Sequence, residues 1–428
     1  MLCNKNILQR IDRTQKYDLT NIMTDTVRMA FLGDTLATWT GGIDFLRICI
    51  NGIDATVSNN ELFILFPKKA LHQRARSLLG TIKRRLKTAA GRGITNIPRV
   101  SMQDFEDAMK NVGPQINIID CLNSPAGLAK AMRQSKSNVL FPCTKPLRES
   151  FPYGWIGYIP DLQHKRLPQF FSKKECQQRD RAFNELLTDA RAVVVNSKAV
   201  AQDIDLFYPG HRARIFSLPF CPSFASNPDS AFAEIAKAYR IPDKYFMISN
   251  QFWVHKSHET AFKALGLVCG AGHDVHIVCT GNMHDYRSPN HFYKLKSIIA
   301  DKHLENKIHL LSVVPKSDQL AIMRNSVAVI QPTLFEGGPG GGSVYDAVST
   351  CTPAIVSDIN VNREIDIGVI EFFKTGSVED LAEKMVKMLI NPPHRMDLHE
   401  NFRILSKRQQ EFGVCLLEAA RYAIEKVL

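Results

Sequence analysis

Two carboxylates, Glu336 and Asp346, bracket a loop in which five glycines and one proline fill the six positions from Gly337 to Gly342. An ionised carboxylate only accepts hydrogen bonds, so each acid can clasp the hydroxyls of a sugar or a ribose. Glycine lets the backbone approach a ligand closely, and N–H groups at a helix start favour phosphate. The amides at Gly338, Gly341, Gly342 and Val344 are the candidates for that contact. A sugar-binding acid, phosphate-binding amides and a second hydroxyl-binding acid together describe a site for a nucleotide sugar. The plainer alternative is a flexible glycine turn with two solvated acids; the framing acids and the flanking apolar runs weigh against it.

Three further groups could serve the same chemistry. Lys256 follows the apolar run Phe246–Ser249 and opens a helical pattern running to Leu267. A lysine there can hold a diphosphate as a point charge, although a surface lysine is the commoner meaning of such a residue. His164 ends the stretch Gly157–His164; imidazole moves protons near neutral pH and partners hydroxyls, while a lone His is more often a structural hydrogen-bonder. Gly41 and Gly42 open the helical pattern Ile43–Ile50 after the first apolar run, where a phosphate or an acceptor could enter, or where the chain simply turns. The triplet Asp203-Ile204-Asp205 sits on a run of helical composition rather than after a strand, so it reads as a solvated face and no divalent metal is expected. His255 and His258 lack a completing Cys or carboxylate and read as polar loop groups.

The elements that must position these residues are legible from periodicity. Ser326–Ile330 reads as a buried strand, Ser343–Thr350 as a short helix ended by Pro353, and Ala354–Ser357 as the next strand. Strand, glycine loop, helix, strand is one unit of a parallel sheet, whose ligands bind outside the carboxyl ends of the strands. Further strands are expected at Val27–Leu32, Leu62–Phe66, Ile116–Asp120, Asn138–Phe141, Ala192–Val195, Val275–Cys279 and Lys307–Val314, with helices between them. This alternation predicts an α/β protein with parallel sheets covered on both faces.

With 428 residues the chain can build two cores of ordinary size. Its 45% hydrophobic and 22% charged composition is that of a globular protein, and no apolar run approaches the length of a membrane span. The polar N-terminus lacks the apolar core of a secretory signal, and ten cysteines scattered singly suggest reduced thiols, so a cytoplasmic location is expected. Net charge is +12, and nine Lys or Arg fall between Lys68 and Arg92 with no acid among them. Such a stretch attracts anionic headgroups or nucleic acid, or is a solvated helix face. The absence of interleaved aromatics argues against single-stranded nucleic acid, and a peripheral contact with the inner face of the cell membrane is preferred.

The runs Phe335-Glu336-Gly337, Asp346-Ala347 and Thr352-Pro353-Ala354-Ile355-Val356-Ser357-Asp358 resemble the donor-site signature of family 4 glycosyltransferases. In that signature two glutamates have seven residues between them; here nine intervene, and the second acid is Asp. The longer loop is similar to that of members that build bacterial polysaccharides. The resemblance extends to Gly41-Gly42, to the segment around His164, and to Lys256, with Gln251 where the family carries an Arg five residues before the Lys. It implies a GT-B fold: two doubly wound Rossmann-like domains facing an interdomain cleft. The domains expected are an extension at 1–26, an acceptor-side domain at 27–224, a nucleotide-sugar-binding domain at 225–397, and terminal helices at 398–428, the last crossing back to the first domain.

The function implied is retaining transfer of a sugar, with mannose the first to consider, from a nucleotide-diphosphate sugar to a glycan or lipid-linked acceptor in polysaccharide biosynthesis. The resemblance gives Glu336 and His164 to the sugar and Asp346 to the ribose. Lys256, Gln251 and the glycine amides go to the diphosphate, with no cofactor and no metal. Two alternatives stand beside it: a GT-B relative such as a nucleotide-sugar 2-epimerase, which needs no acceptor, and a basic membrane- or nucleic-acid-binding protein with a vestigial donor site.

Overall fold

The computed structural model describes residues 27–33, 40–57, 62–68, 116–148, 150–224 and 232–425. The extension at 1–26 and the basic stretch beyond Lys68 lie outside the described residues. In chain order come β1 (Met29–Leu32), α1 (Thr40–Thr56), β2 (Leu62–Lys68), β3 (Ile116–Leu122), α2 (Pro125–Gln134), β4 (Val139–Cys143) and β5 (Gly154–Ile159). A short turn, Gln163–Arg166, precedes α3 (Lys173–Asp189), β6 (Ala192–Val195), α4 (Lys198–Phe207), β7 (Arg214–Ser217) and α5 (Phe232–Tyr239). Then follow β8 (Tyr245–Ser249), α6 (His258–Gly270), β9 (His276–Thr280), α7 (His291–Asp301), β10 (Ile308–Leu310) and α8 (Lys316–Arg324). The chain ends with β11 (Val329–Gln331), α9 (Gly341–Ser349), β12 (Ala354–Ser357), β13 (Ile370–Phe373), α10 (Val378–Ile390) and α11 (Leu398–Ile424).

The strands form two sheets, β3-β2-β1-β4-β5-β6-β7 and β10-β9-β8-β11-β12-β13, and every pair of neighbours is parallel. Parallel sheets need both faces covered, which is why β6 (AVVV) and β12 (AIVS) are buried at every position. Each sheet accordingly separates two apolar clusters, one against each face. The two doubly wound α/β sheets match the architecture anticipated from the alternation of strands and helices. The helix pattern at Ile43–Ile50 is the middle of a longer helix, α1. The helix α5 was not anticipated from the sequence.

The long helix α11 starts at Asp397, whose side chain accepts from the His399 and Glu400 amides. It then lays Phe412, Leu416, Ala420 and Ile424 into the core beneath the first sheet, although it follows the second in sequence. The two halves also touch through a helix cap. Glu364 accepts from the Lys198 and Ala199 amides at 2.8 and 2.7 Å, so the start of α4 in the first half is held by a carboxylate from the second.

Candidate functional site

In the second sheet the strand order reverses between β8 and β11, so the loops leaving those two strands diverge and open a crevice at their carboxyl ends. Lys256 lies on the exit of β8, and the glycine loop is the exit of β11. Their side chains meet: Lys256 Nζ donates to Glu336 Oε1, with 12% and 11% of the two side chains exposed. Gln331, the last residue of β11 and fully buried, donates from Nε2 to the same oxygen at 3.0 Å and to the Gly340 carbonyl at 2.8 Å. Asn250, just past β8, donates to Gln331 Oε1. Glu336 Oε2 accepts nothing from the described residues.

The glycine loop turns into α9 through Gly340, whose φ of +67° belongs to the left-handed region that glycine enters freely. Its amide donates to Asn362 Oδ1 at 2.8 Å. The first turn of a helix lacks intrahelical acceptors for its amides. Gly341 N uses Gly338 O at 3.2 Å, while Gly342 is exposed with open space where a side chain would be. Ser343, also in this turn, has its Oγ buried without a hydrogen-bond partner among the described residues. Val344 points the other way, into the core. The loop presses on the first half: a Cβ at Gly337 would lie 2.3 Å from the Pro160 carbonyl, and Ser197 Oγ donates to Gly337 O at 3.1 Å. Gly338 lies beside Asn196. The site therefore lies where the halves face each other.

Asp346, one turn into α9, is already engaged. Lys316 Nζ donates to its two oxygens at 2.7 and 2.6 Å and Gln319 Nε2 to one of them at 3.0 Å. Burial pushes this carboxyl above the usual carboxylate range, against the pull of Lys316. Lys316 is itself partly desolvated, yet Asp346 and Asp44 hold it above the ordinary ammonium range. Asp44 lies 3.7 Å from Lys316 and belongs to α1, so the start of that helix, with half-buried Gly41 and buried Gly42, faces α9.

Other candidates are placed elsewhere. His164 was expected at the sugar, but its ring is 2% exposed and packed between Phe171 and Phe183, with Nε2 2.9 Å from Asp180 Oδ1 and Nδ1 buried without a partner among the described residues. Burial lowers its pKa, against Asp180. This placement makes it a support of the loop beneath the cleft. Asp161 orients the same loop by accepting from the Gln163 amide at 2.9 Å and from Arg179 at 3.0 Å. Gln251 is exposed and its side chain joins no other member of the group.

His255 and His258 are not polar loop groups but buried rings; desolvation lowers them to about 2 and about 3, and His258 stacks on Phe252 at 4.1 Å. Asp203 is not solvated either: it is buried on α4 and accepts from Arg166 Nε at 3.0 Å, while Asp205 partners His211. Among the described residues no group of three or more His, Cys, Asp or Glu side chains could hold a metal ion, and no helix is long and apolar enough to cross a membrane.

The sequence reading missed Gln331, Asn250, Ser343, Lys316 and Arg287. Arg287 reaches from the second half to Gln163 Oε1 at 3.2 Å, with its guanidinium over the Trp253 ring at 4.7 Å. A buried glutamine ending a strand was a usable signal for the first of these. Ser343 stands directly after the glycines and its hydroxyl was overlooked; Asn250, Lys316 and Arg287 depend on chain segments brought together from far apart.

Residues 232–405 match the family model described as glycosyl transferases group 1. No curated protein matches the chain. Solved structures similar to it include a glycosyltransferase from Rickettsia africae ESF-5, with a TM-score of 0.59 at 12% identity over 94% of this chain and 99% of that one. HepE from Anabaena in complex with UDP is similar with a TM-score of 0.58 at 12% identity, over 92% and 99% of the two chains. WaaG, a glycosyltransferase involved in lipopolysaccharide biosynthesis, gives 0.53 at 13% identity over 91% and 98%. At these identities the likeness is one of fold.

Proposed function

From a chain of GT-B fold whose residues 232–405 match the group 1 glycosyl transferase family model, we propose a retaining enzyme that moves a sugar from a nucleotide-diphosphate donor to a glycan or lipid-linked acceptor. The observation that carries this reading is the meeting of Lys256, Glu336 and the start of α9 at the switch point of the second sheet. Breaking the anomeric bond develops negative charge on the leaving diphosphate. An ammonium has three donors, and Glu336 takes one of those on Lys256, which leaves two for phosphate oxygens. The Gly342 and Ser343 amides and the unpartnered Ser343 hydroxyl supply neutral donors beside it. Glu336 offers Oε2 to the sugar hydroxyls and its charge to the cationic face of the transition state. Asp346 takes the ribose by sharing it with Lys316. An acceptor carried on lipid would bring the enzyme to the inner face of the membrane, to which the nine bases between Lys68 and Arg92 suit it by charge.

A thermal-shift panel of UDP, GDP, ADP, CDP and their sugar conjugates tests the donor. UDP comes first because HepE, of similar fold, was solved with it. A ligand at a hundred times its Kd should stabilise the fold by about 2.7 kcal/mol. Silence across the panel would remove the donor site. Glu336→Ala should fold, bind nucleotide and lose turnover; near-full turnover would remove Glu336 from the mechanism.

A further inference from the structure

Gln331 is fully buried, and its amide has three neighbours that fix what each end must be. One end lies between Glu336 Oε1 at 3.0 Å and the Gly340 carbonyl at 2.8 Å, both of which only accept, so that end is the NH2 group and both of its hydrogens are used. The other end is the carbonyl, and it accepts from Asn250 Nδ2. Asn250 and Gln331 sit at the ends of β8 and β11, the two strands that flank the switch point, so the chain Asn250, Gln331, Glu336 runs along the floor of the crevice.

We propose that Gln331 is the positioning residue of the transfer, resting on the donor-site reading given above. Its two hydrogens tie together groups with different tasks. One pins Oε1 of Glu336, which with Lys256 on the same oxygen turns Oε2 toward the sugar. The other holds the Gly340 carbonyl and so sets where Glu336 stands relative to the start of α9, which the Gly340 amide on Asn362 Oδ1 keeps in place without it. The spacing between sugar-binding acid and phosphate-binding amides is thus set by one side chain that touches neither ligand. Asn250 keeps the amide from flipping: a flip would place a carbonyl against two acceptors and leave both tasks unsupported.

The experiment uses the full chain with UDP-glucose and GDP-mannose as probes, with water taking the sugar in place of the acceptor, and reads the hydrolytic release of the nucleoside diphosphate together with its Kd. Gln331→Met keeps length and removes both donors. It should lower kcat on the order of 100-fold, while donor KM and nucleoside-diphosphate Kd change by less than about threefold. Asn250→Asp cannot donate, so it turns the Gln331 amide and should show the same split from one residue further away. Gln331→Glu covers the case in which the methionine variant does not fold. Its carboxylate opposes Glu336 at high pH, whereas its protonated form restores a donor, so its kcat relative to wild type should climb by about tenfold or more from pH 8 to pH 5.5.

A flat ratio across that range would overturn the inference, as would kcat within about threefold of wild type in Gln331→Met or equal loss of kcat and nucleotide affinity. A wild-type chain inert towards both probes removes the donor-site reading and the inference with it; an active wild type with an unaffected Gln331→Met removes the inference alone.

Discussion

Replacing Lys256 by methionine keeps the stem and removes the charge, and its consequences divide cleanly between stability and binding. The Lys256 and Glu336 side chains are 12% and 11% exposed, so the carboxylate left behind is mostly desolvated and, among the described residues, retains only the Gln331 amide as a donor. Breaking a fully buried pair costs about 3–5 kcal/mol, and the residual exposure lowers the expectation here to roughly 2–3 kcal/mol. For a unit of this size that is a drop in Tm of about 5–10 °C. Binding should suffer separately, because charge-assisted hydrogen bonds to the diphosphate are worth about 1.5–3 kcal/mol, or about 10- to 100-fold in Kd. Calorimetric scanning reads the first and titration with the responding nucleoside diphosphate the second. Glu336→Gln is the companion variant: it frees the ammonium for phosphate, so affinity should hold or rise while turnover collapses. Unchanged Tm and Kd in Lys256→Met would refute the shared-lysine argument, and so would a Glu336→Gln variant that loses nucleotide as severely as Lys256→Met.

Stability should fall in acid. His164, His255, His258, His276, His291 and His309 are all held below the ordinary imidazole range, in each case chiefly by burial. A group lowered in the folded state contributes fully above its unfolded value and loses that contribution as pH falls toward the folded one. Melting curves from pH 8 downward should therefore slope from about pH 6.5, by up to about 1.4 kcal/mol per pH unit for each proton taken up on unfolding. A flat profile from pH 7 to pH 5 would contradict the burial. His258→Phe keeps the stack on Phe252 and removes one of these titrations, so it should raise Tm relative to wild type at pH 5 more than at pH 8. Asp346 is raised, so its ionised form costs stability at neutral pH. Asp346→Asn should hold or gain Tm at pH 7 and lose nucleoside affinity, whereas a lower Tm with intact affinity would make the residue structural.

The sheets were legible because parallel strands buried on both faces leave continuous apolar runs, and AVVV and AIVS fall at the observed strands without adjustment. Strand order was not legible, because nothing in either run says that β8 lies beside β11. The acids and glycines of the loop between β11 and α9 were visible since they lie within a few residues of one another. Their partners were hidden by distance along the chain: Asn250 and Lys256 each reach across about eighty residues, and Lys316 joins Asp346 to Asp44 from the other half. His164 shows the converse error. Residue type alone favoured a structural hydrogen-bonder and the family resemblance placed it at the sugar, whereas Asp180 on α3 and two phenylalanine rings draw the ring inward.

The carboxylate of Glu364 that caps α4 turns the contact between the halves into something countable. The Lys198 and Ala199 amides have their acceptor only while the two halves are together. When the cleft widens, both N–H groups meet water at once, although α4 itself need not unwind. Their protection against deuterium exchange, compared with amides in the middle of the same helix, is then a direct gauge of how often the cleft opens. A donor that draws the halves together would slow exchange at these two positions first, without any label or engineered probe.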